Sequence, residues 1–283
     1  MSSPISVFII CKNEGRIIDA CLQQASKVAD EIVIVDSGST DDTLSICRRY
    51  TDRVYHQDWL GFGPQKNLAL SKCSRAWALS LDADEVLSDS LVDEIRALPL
   101  ADHVEPFDSV PIRGGTEADL AIAGELPSAG YLLPRQLFIG DRHIRFGGFY
   151  PDYQLRLFPR SRGQFCSSLV HESVELRSAD GYSKNRRGLE RLCSPLLHHA
   201  YESVEQLEES FRKYAALSER AKSRSMAIGG AAYVFLYKYF LRMGIRDGRL
   251  GYRLALINAK YRYKKYIPGP EEVEAGAQLR KAA

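Results

Sequence analysis

A chain of 283 residues, 45% hydrophobic and 26% charged, has an ordinary globular composition and is long enough for one large domain or one domain with an appendage. A net charge of +2 excludes a uniformly acidic or basic character, yet the charge is unevenly placed: residues 211–265 hold fourteen Lys or Arg against two acids, and residues 101–130 hold six acids against one Arg. The basic end predicts an anionic partner, either a membrane surface or nucleic acid.

The first hundred residues alternate between two periodicities. Val7–Cys11 is a continuous apolar run, the mark of a strand covered on both faces. Arg16–Ala29 puts Ile17, Ile18, Cys21, Leu22, Ala25 and Val28 on one side of a helix. Glu31–Asp36 is a second buried strand, Thr43–Tyr50 a short helix, Arg53–His56 a third strand, Gln65–Ser71 a third helix and Trp77–Asp82 a fourth strand. Ser88 caps a helix that runs to Leu98 and is stopped by Pro99. This alternation predicts an α/β fold with a mostly parallel sheet flanked by helices.

Residues 101–130, rich in Pro, Gly and acids, read as a loop insertion. Short strands are expected at Tyr131–Leu137, Tyr153–Phe158 and Leu169–Leu176. Ser203 and Gln206 suggest a capping box for a long helix, and helical stretches Met226–Gly244 and Ile245–Lys265 carry most of the basic charge. The chain thus divides into a catalytic domain over 1–200 and a basic, amphipathic helical extension over 201–283. The extension suits either an anionic lipid surface, with aromatic Tyr233, Phe235, Tyr237, Tyr239 and Phe240 in the headgroup layer, or a packed helical pair with a solvated basic face. No nucleic-acid module accompanies the charge, so nucleic acid is excluded as a partner.

The six cysteines have no metal-ligand spacing and read as reduced thiols of a cytosolic protein. The chain opens on a strand-like segment rather than a signal-peptide pattern, and its longest uncharged stretch, Ser225–Tyr237, is too short to span a bilayer.

In open parallel sheets, ligands bind beyond the carboxyl ends of the strands. Four such ends are readable: Cys11-Lys12-Asn13-Glu14, Asp36-Ser37-Gly38-Ser39-Thr40-Asp41, the loop from Trp59 to Asn67, and Asp82-Ala83-Asp84-Glu85. Asp82 and Asp84 are one residue apart, so an extended backbone lets both carboxylates converge on one hard cation that also binds a substrate diphosphate. Asp36 has the position of an acid that grips ribose hydroxyls. Lys66 has the charge to neutralise a diphosphate or to contact a base. Neither a dinucleotide fingerprint nor a phosphate-cradling GxxxxGK loop is present, so the rim reads as built for a nucleotide plus a metal.

Ile9-Ile10-Cys11-Lys12-Asn13-Glu14, then Asp30 to Asp41, then Leu79-Ser80-Leu81-Asp82-Ala83-Asp84-Glu85 resemble family 2 glycosyltransferases of the GT-A fold. The Trp59–Asn67 loop, Asp152-Tyr153-Gln154-Leu155-Arg156-Leu157-Phe158 and Val170-His171-Glu172 are similar to the bacterial lipopolysaccharide core enzymes of the β-glucosyltransferase type. The resemblance implies an inverting transfer of a hexose, glucose from UDP-glucose, onto a lipopolysaccharide core acceptor, dependent on Mg²⁺ or Mn²⁺. It implies that Glu14, Asp36, Lys66 and Asp82 hold the nucleotide sugar and that Asp82 and Asp84 hold the metal. Asp152 is the implied general base, at a position where family members carry Glu-Asp and this chain carries Pro151-Asp152. A histidine beyond the base would complete the metal shell; His171 has this place, with His198 and His199 as alternatives. The implied partners are a UDP-hexose, a lipid-anchored oligosaccharide acceptor and the anionic inner-membrane surface, with the protein cytoplasmic and peripheral at the inner face of the inner membrane. The competing readings are a sugar nucleotidyltransferase and a non-catalytic membrane-docking protein with a decayed transferase domain.

Overall fold

The computed structural model describes residues 4–102, 104, 130–166, 173–178, 181–183, 188–216 and 223–269. Most of the 101–130 insertion and all of Val170-His171-Glu172 lie outside the described residues.

In chain order the first elements are β1 (Ile5–Cys11), α1 (Ile18–Ala25), β2 (Glu31–Asp36), α2 (Thr43–Cys47), β3 (Val54–His56), α3 (Phe62–Lys72), β4 (Trp77–Asp82), β5 (Glu85–Leu87) and α4 (Asp89–Arg96). Then come β6 (Gly130–Ile139), β7 (Arg142–His143), β8 (Asp152–Pro159), β9 (Gly163–Phe165), β10 (Val174–Ser178), β11 (Gly181–Ser183), β12 (Leu189–Arg191) and β13 (Leu196–Tyr201). The helical end is α5 (Val204–Ala216), α6 (Arg224–Leu236) continued by a π-helical turn over Tyr237–Leu241, a 3₁₀ turn over Gly244–Asp247, and α7 (Gly248–Lys264).

The main sheet runs β3-β2-β1-β4-β8-β6-β13-β5, with β7 and β12 pairing β6. β1, β2, β3 and β4 are mutually parallel, and β8 pairs β4 antiparallel. The expected α/β class is the one observed: a mostly parallel sheet with flanking helices, followed by C-terminal helices.

Strand β1 shows why its apolar run is unbroken. Ile5, Val7 and Ile9 face a core shared with Ile18, Cys21 and Leu22 of α1 and Leu91, Val92 and Ile95 of α4. Phe8, from the opposite face, packs with Val33, Val35, Ala69, Leu70, Phe158 and Phe165. A strand buried on both faces cannot afford an alternating pattern.

By internal contacts the chain forms two units, Met1–Pro134 with Tyr153–Leu197, and Arg135–Asp152 with His198–Ala283. The second unit has its own core of Ile139, Ile144, Leu207, Leu250, Leu254 and Ile257.

Several expected boundaries move. α3 begins at Phe62 rather than Gln65, because Pro64 falls in the first turn, where a missing N–H costs nothing. Of the strand expected at Leu169–Leu176, residues 169–172 lie outside the described residues, and a strand is observed over Val174–Ser178. The helix expected over Met226–Gly244 ends earlier: Met243 sits in the left-handed region at φ 59°, a conformation that stops an α-helix. At α5, Gln206 N–H donates to Ser203 Oγ at 3.3 Å, while the Gln206 side chain accepts from Glu202 N rather than from Ser203. The expected capping box is therefore shifted by one residue on one side.

Candidate active site

Register places the acidic strand tips together. Cys11 on β1 pairs with Asp36 on β2, and Ile10 on β1 pairs with Asp82 on β4. Asp36 and Asp82 therefore flank one strand at the same edge of the sheet, about 10 Å apart by strand spacing.

The loops after β1 and β2 are knitted into one floor. Asn13, at φ 57° in a region that Asn tolerates, receives the Thr40 N–H on its Oδ1 at 2.8 Å and donates its own N–H to Ser39 Oγ at 2.9 Å. Glu14 N–H donates to Thr43 Oγ1 at 2.8 Å, and Gly15 N–H donates to Asp41 Oδ2 at 3.0 Å. Asp36 is 2% exposed and accepts the N–H groups of Gly38 (2.8 Å) and Ser39 (3.0 Å) and the Ser39 hydroxyl, so it holds the small-residue turn in shape. His56 Nδ1 lies 3.9 Å from the same carboxylate.

Three consecutive residues of α3 each tie the helix to a neighbour. Gln65 donates to Ser37 Oγ at 3.0 Å and to the Gln57 carbonyl at 3.1 Å. Asn67 donates to the Phe165 carbonyl at 2.9 Å and accepts the Phe165 N–H at 2.8 Å. Between them Lys66, 2% exposed, puts Nζ 2.7 Å from Asp82 Oδ1. Lys66 thus sits under the rim, ion-paired to Asp82, and not on the open loop that the sequence suggests.

Arg156 is the residue that sequence reasoning missed. From β8 its Nη2 donates to Asp82 Oδ2 at 2.7 Å and also to Glu85 Oε1. Glu85, fully buried, accepts the Asp82 N–H on its other oxygen at 3.2 Å. Lys66, Arg156, Asp82 and Glu85 form a two-plus-two charge network beneath the Asp82–Asp84 tip. Burial alone would push the Asp82 carboxyl up, but Arg156 and then Lys66 hold it well below the usual carboxylate range. For Arg156 burial pulls the other way, and Asp82 and Glu85 outweigh it, keeping the guanidinium protonated.

Glu14 has the opposite balance. Burial and the charge of Asp84, with smaller contributions from Asp41 and Asp82, push its carboxyl up to about 7 against the attraction of Arg16. A local excess of negative charge around Asp84 is the field that a divalent cation relieves. Among the described residues no three His, Cys, Asp or Glu side chains gather as a complete ligand set. Carboxylate oxygens supplemented by substrate oxygens are nevertheless how Mg²⁺ is usually held, so the donor set fits a shared hard cation.

The remaining expected residues belong to the second unit or lie outside the described residues. Asp152 opens β8 and belongs to the second unit, where Arg135 Nη2 and Nε donate to its Oδ2 at 2.7 and 3.1 Å. His198 and His199 are on β13, and His199 stacks on Phe138 with ring centroids 4.7 Å apart. His171 lies outside the described residues.

Residues 6–101, which carry all four strand ends, match the family model described as glycosyl transferase family 2. This stretch is similar to a family 2 glycosyltransferase domain. Over 96 residues the chain is 42% identical to an uncharacterized glycosyltransferase of Rickettsia conorii, covering 34% of either chain. Over 93 residues it is 43% identical to the lipopolysaccharide core biosynthesis glycosyltransferase LpsC of Rhizobium meliloti, covering 31% of this chain and 34% of the relative. The chain therefore spans about a third of the length of the curated relatives it matches. Among solved structures, TarS 1-349 of S. aureus is similar at 17% identity and a TM-score of 0.42, covering 98% of this chain and 83% of that one. The family 2 match ends at residue 101, so Arg156 of the charge network lies beyond it.

Proposed function

We propose that this protein is an inverting glycosyltransferase that moves a hexose, glucose from UDP-glucose in the first instance, onto a lipid-anchored oligosaccharide of the lipopolysaccharide core. The observation that carries the proposal is the gathering of Asp36, Asp82, Asp84 and Glu14 at one edge of the sheet within the stretch that matches the family 2 model. The 43% identity to LpsC supports the lipopolysaccharide core as the acceptor class.

In this reading the turn held by Asp36, together with Glu14, receives the nucleoside. Asp84 is the leading ligand for Mg²⁺ or Mn²⁺, with Asp82 beside it and His171 as a further ligand. When bound, the cation stabilises negative charge on the departing nucleoside diphosphate as a Lewis acid. Both oxygens of Asp82 are already engaged, by Lys66 and by Arg156, so its role is to fix the tip from which Asp84 projects and to meet the ribose. Lys66 acts through Asp82. Asp152, oriented by Arg135, takes the proton from the acceptor hydroxyl. One base and no enzyme nucleophile suffice for inversion at the anomeric carbon. The basic helical end supports a location at the anionic inner face of the inner membrane, where a lipid-anchored acceptor would lie; among the described residues no helix is long and apolar enough to cross a membrane.

The test is thermal stabilisation by UDP with Mn²⁺, compared with UDP plus chelator and with other nucleotides. Stabilisation that needs UDP and metal together is the expected result; indifference to every nucleotide overturns the proposal. Asp84→Asn should abolish the metal-dependent part of the shift and lower transfer by about 10²–10³-fold. Asp152→Asn should keep the shift and lower transfer by about 10²–10⁴-fold.

A further inference from the structure

Helices α5, α6 and α7 of the second unit enclose a cavity of about 770 Å³, within the size range of small-molecule sites. Its wall is apolar: Phe211 from α5, Ala231, Ala232 and Phe235 from α6, and Leu256 and Ile257 from α7. It is open on the side of α6, where Ile228 and Leu236 also line it and are 52% and 51% exposed.

The mouth is cationic. Among the described residues that line it, Arg212, Lys260 and Lys264 stand against one acid, Glu208, which is paired with Lys260 at 2.8 Å. From Arg224 to Arg246 the sequence has four Lys or Arg and no acid. Beyond the cavity the apolar surface continues along Tyr233, Tyr237, Phe240 and Leu241, all exposed. An apolar, roomy interior with a positive mouth, opening onto an exposed aromatic face, complements a molecule with an apolar chain and an anionic head.

We infer that this cavity is a binding site for an acyl chain of an anionic membrane lipid, whose headgroup meets Arg212, Lys260 and Lys264. The inference deepens the membrane part of the proposal above and rests on it. Small side chains, Ala231 and Ala232, form part of its lining. The long Lys and Arg stems extend the apolar wall while their charged ends stay at the mouth.

The test is co-sedimentation of the full chain with vesicles of phosphatidylcholine alone and with added phosphatidylglycerol, for the native protein and for Ala232→Phe. The native protein should partition onto the anionic vesicles. Ala232→Phe should bind them about tenfold more weakly, as expected when two or so methylenes lose an apolar site, with the UDP–Mn²⁺ thermal shift unchanged. Equal binding of Ala232→Phe and native protein overturns the inference and leaves surface docking intact. Absence of binding by the native protein overturns both, while the UDP–Mn²⁺ shift separately reports on sugar transfer. Should Ala232→Phe fail to fold, a phosphatidylglycerol with a photoreactive acyl chain serves on the native protein. Label on the α5, α6 and α7 peptides supports the site, and label confined to other peptides, or self-association without lipid, overturns it.

Discussion

The strand-end edge of the first unit and the helical face of the second depart from ordinary burial in opposite directions. The edge hides charge: Lys66, Arg156 and Glu85 are buried, and each has an oppositely charged partner. The helical face shows apolar surface instead, with Tyr233 65% exposed and Leu241 72% exposed. Buried ions and exposed large apolar side chains are both unusual enough to need a cause. At the edge the cause is geometric. Two cations clamp Asp82 from opposite sides, so the tip bearing Asp84 keeps one conformation. At the helical face nothing within the described residues covers the patch, and the unit's core lies behind it, at Leu207, Leu250, Leu254 and Ile257.

Arg156→Met tests the buried half of this contrast and should have the largest effect. It takes the Arg156 guanidinium away from buried Glu85 and removes one of the two cations that hold Asp82. Losing one member of a buried ion network costs about 3–5 kcal/mol, because the remaining charge stays desolvated. Urea unfolding followed by circular dichroism should show that loss. Adding Glu85→Gln to Arg156→Met should return part of it, since the buried carboxylate charge is then gone. A single variant as stable as the parent would mean that the network is ornamental to the fold.

The same contrast explains which features could be read from the chain. β1, β2 and β4 were legible because a strand buried on both faces needs a largely apolar run, and β2 and β4 end in acids where the sheet meets the loops. Asp36 and Asp82 were legible for that reason, and parallel pairing then brings them to one edge. Arg156 was not: its partner Asp82 is 74 positions away, and an Arg in an alternating strand looks like a solvated outer position. The ion pair of Lys66 with Asp82 was not legible either, because nothing local reveals that α3 packs its polar residues inward. On the helical side the division expected between Gly244 and Ile245 fell within a few residues of the break, but the left-handed conformation of Met243 left no signal, since Met has no preference for that region. Long-range ion pairing and tertiary control of backbone conformation are the two things a local pattern does not encode.

Asn67→Ala sharpens the comparison at lower cost. Its amide both donates to and accepts from the backbone of Phe165, closing α3 onto β9. Removing it leaves the Phe165 N–H and carbonyl without these partners, at about 1–3 kcal/mol for buried groups. The expected signature is a lowered unfolding midpoint with the UDP–Mn²⁺ shift retained, because Asn67 touches the scaffold and not the strand tips. A lost nucleotide response at unchanged stability would move Asn67 from the scaffold into the site.

The exposed half of the contrast predicts the smallest change in stability. Leu241 ends the π-helical turn and is 72% exposed, so Leu241→Ser removes little buried area from the folded protein. Surface substitutions of this kind lie within about 0.5 kcal/mol. If the patch meets a lipid surface, the same substitution should weaken partition onto vesicles containing phosphatidylglycerol, because it withdraws a branched apolar side chain from the interface. The pairing of the two readouts is what discriminates. A side chain that served only to pack the helical unit would lose stability and keep vesicle binding, whereas one that faces a membrane loses binding and keeps stability.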